Sequence, residues 1–459
     1  MSFYRKAVVA AAVAPLLMLQ PVQASAETIF GAMAKAYENN PDLNAARAGL
    51  RATDEGVTIA KAGYRPQVSA TASASAIDVY GMNGGATENS YHQANAGFTI
   101  TQTIFDGFQT LNNVRSAEAG VVASRESLKA NEISILLSAA QAYADIARDM
   151  QIVSIRQQNL KFLREQLNSA NARLQVGEGT RTDVSQAEAQ LASADALLAA
   201  AQAQLAISQA TYVQIVGDTP SGIKQPSPAR KAMPASVDQA VAIGVVEHPS
   251  VKAAFAQVDQ ADYNTKAAEG SLLPGVTLQG GVTRHVTSSS SPSDINNTSA
   301  SITAQLTIPI YQGGAEYGRV RQAKELAGQR RIMVDSVRAS IRQQIVSAYA
   351  QLRAATASIS ANGKSVNAAQ LALKGVIEER NVGQKTTLDV LNSQQTVLNA
   401  KENLVVAQHD AVVASYAVIA ATGRLTVSSQ GLQVAEYRSE DHYEAVKDKW
   451  FGLRTVDTK

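Results

Sequence analysis

The chain has no cysteine in 459 residues. That absence excludes disulfide staples, zinc thiolate sites and N-terminal lipidation on cysteine. Aromatic residues are scarce, with a single Trp, and alanine-rich stretches suit close-packed helices better than a large aromatic core. No histidine cluster has metal-ligand spacing: His92, His248, His285, His409 and His442 are scattered. No phosphate-cradling glycine loop followed by Lys-Ser or Lys-Thr occurs, so any ATP hydrolysis must come from another protein. Charge of one sign is also missing. Once Arg5 and Lys6 are set aside, the 41 basic residues fall level with the 39 acidic ones, and no basic patch speaks for nucleic acid. The carboxylates are spread along helical faces as a solvated surface would spread them. No enzyme and no cofactor is expected.

What is present begins with an address. Arg5 and Lys6 precede an apolar run from Ala7 to Leu19, and Ala24-Ser25-Ala26 follows before Glu27. Charge, short hydrophobic stretch and small-residue site together form a secretory signal peptide over residues 1–26, since a retained span needs about 20 apolar residues. After its removal no long uncharged apolar run is evident. A membrane-embedded mature chain would have to use β-strands.

The chain is organised around Arg173-Leu-Gln-Val-Gly-Glu-Gly-Thr-Arg-Thr-Asp-Val184, which returns as Arg380-Asn-Val-Gly-Gln-Lys-Thr-Thr-Leu-Asp-Val390. Val176-Gly177 maps onto Val382-Gly383 with a shift of 206 residues (382 − 176), and the same shift carries Thr180 onto Thr386, Asp183 onto Asp389, Tyr143 onto Tyr349 and Gly107 onto Gly313. A tandem duplication follows. Each copy reads as a helical hairpin, with Gly177 or Gly383 closing one helix and Thr180, Thr182 or Asp183 available to cap the next.

Repeat 1 covers residues 27–217 and repeat 2 covers 241–423, with a proline-bearing linker at 218–240 and a tail at 424–459. Helical spacing at Leu43, Ala46, Leu50, Val57 and Ala60 stops at Pro66. The period then changes to two. Apolar or small residues alternate with Ser, Thr, Gln and Asn over about 67–77 and 94–105, and again over 276–286 and 299–310. Four such runs of about ten residues, joined in pairs by long polar loops, match transmembrane β-strands. Solvated hairpins packed on one face remain the alternative. Four strands cannot close a barrel, so membrane-spanning strands require an oligomer.

The longest elements follow, helices over 107–175 and 313–381. Heptad positions run Val114, Val121, Leu128, Ile135, then step by four to Ala139, Ile146, Val153, Leu160, Leu167 and Leu174. The shift of 206 turns these into Val320, Ala327, Val334, Ile341, Ile345, Leu352, Ile359, Val366, Leu373 and Arg380. Shared heptads argue for coiled-coil packing over about 100 Å. Return helices at 182–216 and 388–422, stacked end to end with the helices before the strands, nearly match that length.

The hairpin Val-Gly-x-x-Thr-x-x-Asp-Val, found twice and each time after a strand pair and a very long helix, resembles the TolC family of outer-membrane efflux and secretion channels. Tyr64-Arg65-Pro66, Ile104-Phe105-Asp106 and Leu306-Thr307-Ile308-Pro309-Ile310-Tyr311-Gln312-Gly313-Gly314 add to the resemblance, which covers about residues 28–425. Asp448-Lys449-Trp450-Phe451-Gly452 is similar to endings in members serving type I protein secretion. The resemblance implies an α+β membrane protein: a homotrimer whose four strands per chain make one β-barrel in outer-membrane lipid, continued by a periplasmic tunnel of coiled helices. It implies an exit duct working with a periplasmic adaptor and an inner-membrane pump of ABC or RND type, for drugs, bile salts or secreted proteins. The tips Val176, Gly177, Val382 and Gly383 would meet the adaptor. Thr182, Asp183, Arg380, Lys385, Asp389 and Asn392 would form the periplasmic gate, with Asp389 as a ring in the pore. Asn392 stands where the family's second acidic ring lies, and Arg380 and Lys385 replace an aromatic residue and an arginine. Arg380 is expected to pair with Asp183. A surface-adhesive trimeric coiled coil would explain the heptads but neither the strand pairs nor the duplication.

The signal sequence makes the first prediction. Intact-mass or N-terminal analysis of the secreted protein should find Glu27 first; a chain still beginning at Met1 would indicate a retained anchor.

Overall fold

A computed structural model describes residues 27–79, 89–230, 233–289 and 295–456. The signal segment and the two loops expected at the far end of the strand pairs lie outside the described residues. Helices α1 (Ile29–Asn39) and α2 (Pro41–Lys61) lead into strands β1 (Gln67–Val79) and β2 (Asn89–Phe105), then α3 (Gln109–Gln175) and α4 (Arg181–Val216). The order recurs as α5 (Val237–Glu247), α6 (Pro249–Gly270), β3 (Gly275–Ser289), β4 (Ile295–Thr307), α7 (Ala315–Asn381) and α8 (Thr387–Ala421). Two short helices, α9 (Val427–Gln430) and α10 (Ser439–Val446), follow. The molecule is mostly helical with one small antiparallel sheet.

Most of the shorter helices and both return helices start at side chains that accept otherwise orphaned backbone N–H groups, whereas α3 and α7 start without a side-chain cap, after Phe108 and Gly314. Thr28 caps α1, and Asn40 Oδ1 accepts from Leu43 N at 3.0 Å to start α2, with Pro41 fitting its first position. Helix α5 begins at Val237, capped by Ser236, inside the segment read as linker.

The sheet has the order β1-β2-β3-β4 with every pair antiparallel. Register places Ala70, Phe98, Val282 and Ala300 in one row across all four strands, and Ser69, Thr99, Gly281 and Ser301 in the next. Successive side chains point to opposite faces, so one face is apolar and the other hydroxylic. Phe98 and Ile302 on the apolar face are 66% and 82% exposed, which no water-facing strand pair would favour. On the polar face His285 hydrogen-bonds Asn95 and lies 2.8 Å from the Thr287 hydroxyl. The strand β4 stops at Thr307 because Pro309 has no N–H for the ladder.

Between β2 and α3 the chain turns at Gly107, φ 67°, against the end of α6. A Cβ there would lie 2.2 Å from the Gly270 carbonyl oxygen, so only glycine fits. Helices α3 and α7 each run 67 residues. Heptad residues Val114, Val121, Leu128, Ala139, Ile146 and Leu160 are buried, as are Val320, Ala327, Val334, Ile341, Ile345 and Val366. Both return helices prove long and apolar enough to cross a membrane by length and composition. Their place corrects that reading: α4 lies along α3, α8 lies along both α7 and α3, and much of the apolar α8 is buried there.

The main core sits midway along the helices. Ile29, Met33, Tyr37, Leu136, Tyr143, Tyr212, Tyr416 and Leu425 meet there, under the linker and the start of the tail. Tyr143 donates its hydroxyl to the Glu27 carbonyl at 2.6 Å and accepts from Lys224 N at 3.0 Å; Tyr349 donates to the Pro234 carbonyl at 2.7 Å. Two tyrosines 206 residues apart thus fasten the linker to α3 and α7. Beside them His409 of α8 lies 2.8 Å from Asp145 of α3 and 2.9 Å from Asp410, while Arg148 binds Asp145 and Asp149, and Ser208 of α4 donates to Asp149 at 2.5 Å.

Burial alone would lower the His409 pKa, but its hydrogen bonds to Asp145 and Asp410 raise it above the usual imidazole value. A raised folded pKa contributes stability in full below about pH 6.5, lost as pH rises through the folded value. The melting temperature of wild type should therefore exceed that of His409→Gln most at about pH 6, with the gap narrowing towards pH 9. A gap independent of pH would show that the imidazolium does not hold these helices together.

Candidate functional site: the hairpin tips and their seam

The two hairpin tips are built alike. At the end of α3, Glu178 N donates to the Arg173 carbonyl at 2.9 Å and Gly177 N to Leu174 at 3.2 Å; at the end of α7, Gln384 N donates to Glu379 at 2.9 Å and Gly383 N to Arg380 at 3.0 Å. These are Schellman closures, and they need the left-handed conformations of Gly177 (φ 82°) and Gly383 (φ 79°). Val176 and Val382 just before them are each 71% exposed. The return helices then start from capping boxes. Asp183 N donates to Thr180 Oγ1 while Thr180 N and hydroxyl donate to Asp183 Oδ2; Asp389 and Thr386 do the same. These bonds hold both carboxyls below the usual aspartate range. In Asp183 the Thr180 hydroxyl is the largest cause, with Thr387 of α8 contributing; in Asp389 the Thr386 backbone leads.

A polar seam joins the two hairpins, with α3 on one side and the end of α7 and α8 on the other. Upward from the tips it contains Arg380 Nη1 to Gln166 Oε1 at 2.6 Å, Gln394 Nε2 to Asn159 Oδ1 at 2.7 Å, and Arg156 to Glu402 at 2.9 Å. Apolar packing of Leu391 against Leu160, Leu163, Ala194 and Leu198 backs it.

Arg380 departs from expectation. Inside the chain its guanidinium does not meet Asp183; it donates to Gln166 and to Asn381 Oδ1, and Asp183 is occupied by its own cap. Only 9% of Arg380 is exposed, and burial together with nearby Arg173 pushes its pKa below the usual arginine value. It forms no ion pair among the described residues. Thr182, Lys385 and Asn392 are exposed, and Asp389 is half-buried. The structure therefore gathers Asp183, Thr387 and the Arg380–Gln166 contact near the tips and leaves Thr182 and Lys385 on the outside.

The tips stand at the ends of two 67-residue helices, at the far end of the molecule from the apolar sheet, and present exposed Val176 and Val382. The family model for outer membrane efflux proteins matches residues 32–218 and 245–424. The chain belongs to the outer membrane efflux protein family. The outer membrane efflux protein BepC of Brucella suis is 47% identical over 436 residues, covering 95% of this chain and 93% of that one. Outer membrane protein TolC of Escherichia coli K12 is 24% identical over 390 residues, or 81% and 77% of the two chains. The crystal structure of the Campylobacter jejuni CmeC outer membrane channel superposes with a TM-score of 0.76 at 16% identity, over 92% of this chain and 89% of that one, and shows the shared fold. This efflux-family protein is an outer-membrane protein.

Within this family member, sequence reasoning found the tips but missed Gln166, Asn159, Gln394 and the Arg156–Glu402 pair. Their signal was available: Asn159 and Gln166 stand one heptad apart on the face that also carries Leu160 and Leu167, where polar residues interrupt an apolar stripe.

Losing a threonine cap costs about 1 kcal/mol, a factor of about five in a local opening equilibrium. Thr180→Ala should raise hydrogen exchange of the first turn of α4 by about that factor, with Thr386→Ala acting in the same direction on α8, and neither should alter exchange in the Tyr143 core. Unchanged exchange at the tips would remove the capping boxes from the account.

Proposed function

We propose that three copies of this chain form an outer-membrane exit duct, and that an inner-membrane pump of ABC or RND type feeds it through a periplasmic adaptor. The observation carrying this reading is a set of contacts made once inside the chain and lacking a counterpart. Helix α6 packs on both α7 and α3, whereas its equivalent α2 packs on α3 without comparable packing on α7; helix α8 packs on α3, whereas α4 has no comparable packing on α7 among the described residues. Likewise β2 pairs with β3, while β1 and β4 remain edges. If each neighbour supplies the missing partner, α2 and α4 of one protomer meet α7 of the next, and β4 meets β1. Exposed Leu197, Ile207 and Val213 on α4 and Ile332, Met333, Val346 and Leu371 on α7 are the apolar surface such contacts would cover. Repetition by rotation closes a ring. Three copies give twelve strands, above the eight needed for a closed barrel.

The tips would then lie at the inner-membrane end, where Val176, Gly177, Val382 and Gly383 dock the adaptor. Arg380, buried without an ion pair among the described residues, would close the gate by meeting a carboxylate of the adjoining protomer, with Asp183 the candidate. Thr182, Lys385, Asp389 and Asn392 would line the same constriction. A buried cation left unpaired is costly, so trimer closure gains from that contact. Drugs, bile salts and exported proteins all fit a duct whose energy comes from the pump.

Arg380→Ala and Asp183→Asn should each raise single-channel conductance in a planar bilayer, the double variant adding little to either. No conductance from wild type would remove the duct and favour an adhesive coiled coil; conductance unmoved by both variants would remove the pair. Cargo is read by growth: a strain lacking the gene should become sensitive to bile salts, dyes and hydrophobic antibiotics and recover on complementation. Unchanged sensitivity would assign the duct to protein secretion.

A further inference from the structure

The tail does not hang from the middle of the molecule; it climbs α2 towards the sheet. Tyr437 N donates to Tyr37 Oη at 3.0 Å, His442 Nδ1 lies 2.9 Å from the fully buried Asp54, and Thr58 donates to the Val446 carbonyl at 2.8 Å. Lys61 then reaches Asp448 at 2.7 Å, and Arg65 donates to the Lys449 carbonyl at 2.9 Å. The contacts advance together along both segments, so the tail is a strap fixed in register. Its end is delivered to the foot of β1, where Arg65 lies 4.7 Å over the Trp450 ring and β1 begins two residues later.

The strap presents apolar groups there. Trp450, Phe451 and Leu453 are 57%, 86% and 105% exposed, although the chain had a core to bury them in. Trp450 and Phe451 lie side by side with ring centroids 6.3 Å apart. Tyr64 of the same foot and Ile308, Ile310 and Tyr311 at the foot of β4 are exposed as well. Basic groups frame them: Arg65, Lys449 and Arg454 make no salt bridge among the described residues, and Arg65 acts on Asp448, which is itself paired with Lys61, only at longer range. Aromatic rings beside cations, at the level where apolar strands begin, match the interface between hydrocarbon and phosphate headgroups.

We propose that Trp450, Phe451 and Leu453 insert into the periplasmic leaflet of the outer membrane as an interfacial anchor for anionic phospholipid. The inference rests on the reading that the sheet crosses the membrane, and it makes the tail a strut that ties the middle of the helical body to the lipid surface.

Trp450 is the only tryptophan in the chain and reports its own position. The full-length protein is reconstituted in vesicles of phosphatidylethanolamine and phosphatidylglycerol carrying nitroxide at an upper or a lower acyl carbon. The upper label should quench Trp450 at least twofold, the lower label less, and aqueous acrylamide only weakly. Strong acrylamide quenching without lipid quenching would place the tail in water and overturn the proposal. Protection from every quencher would overturn it too, by placing the tail under a neighbouring protomer. A Phe98→Trp variant in a Trp450→Phe background separates the two readings. If position 98 is quenched by lipid and Trp450 is not, the anchor alone fails; if position 98 is not quenched either, the membrane reading of the sheet fails and takes the anchor with it.

Discussion

Backbone hydrogen bonding at the edges of the four-stranded sheet constrains everything else. Strands β1 and β4 each offer a row of N–H and C=O groups with no strand partner among the described residues, next to a face bearing exposed Phe98, Ile100, Ile302 and Leu306. In hydrocarbon each unmet group costs several kcal/mol, so a sheet that enters a membrane must close. Four strands do not suffice, and in the proposed duct closure through neighbouring copies would fix the symmetry of the helices below. The same order of strand, turn and long helix occurs twice, so whatever geometry suits one joint between helices must suit the other.

The helical part answers that demand with little specialised chemistry. Heptad burial holds the long helices at coiled-coil spacing, and the return helices fit alongside because alanine keeps them thin. The strongest fixings lie midway, where Tyr143 and Tyr349 tie down the linker and Asp145, Arg148, His409 and Ser208 join three helices. Near the tips the packing is lighter. Small residues, amide pairs and one buried arginine hold the hairpins, an arrangement that opens at lower cost than the core. Rigidity in the middle and looseness at the end are what a duct with a terminal gate would need.

Much of this was legible in the sequence. The four period-two runs overlap all four strands, but β2 and β4 begin before their expected starts of 94 and 299, at Asn89 and Ile295, because the residues added there are mostly polar and carry no clear alternation, and β4 ends at Thr307, short of 310. Heptads located the buried faces of α3 and α7, and the Val-Gly-x-x-Thr-x-x-Asp motif located both tips, although of the three cap candidates Thr180, Thr182 and Asp183 only the structure singles out Thr180 as the N-cap. What failed to show was partnership across long separations. Arg380 reads as a break in a heptad, and nothing local reveals that Gln166, 214 residues away, receives it. The tail has too little periodicity to read, since its course is set by separate anchors at Asp54, Thr58, Lys61 and Arg65 rather than by a repeating face.

The most direct test of the central claim is single-particle electron cryomicroscopy of the full-length protein in lipid nanodiscs. The account predicts three copies per particle, a closed ring of twelve strands with β4 of each copy paired to β1 of the next, and α7 seated against the neighbour's α4 below it. A particle with an open sheet, or with a ring whose copies do not bring β4 to β1, would contradict it.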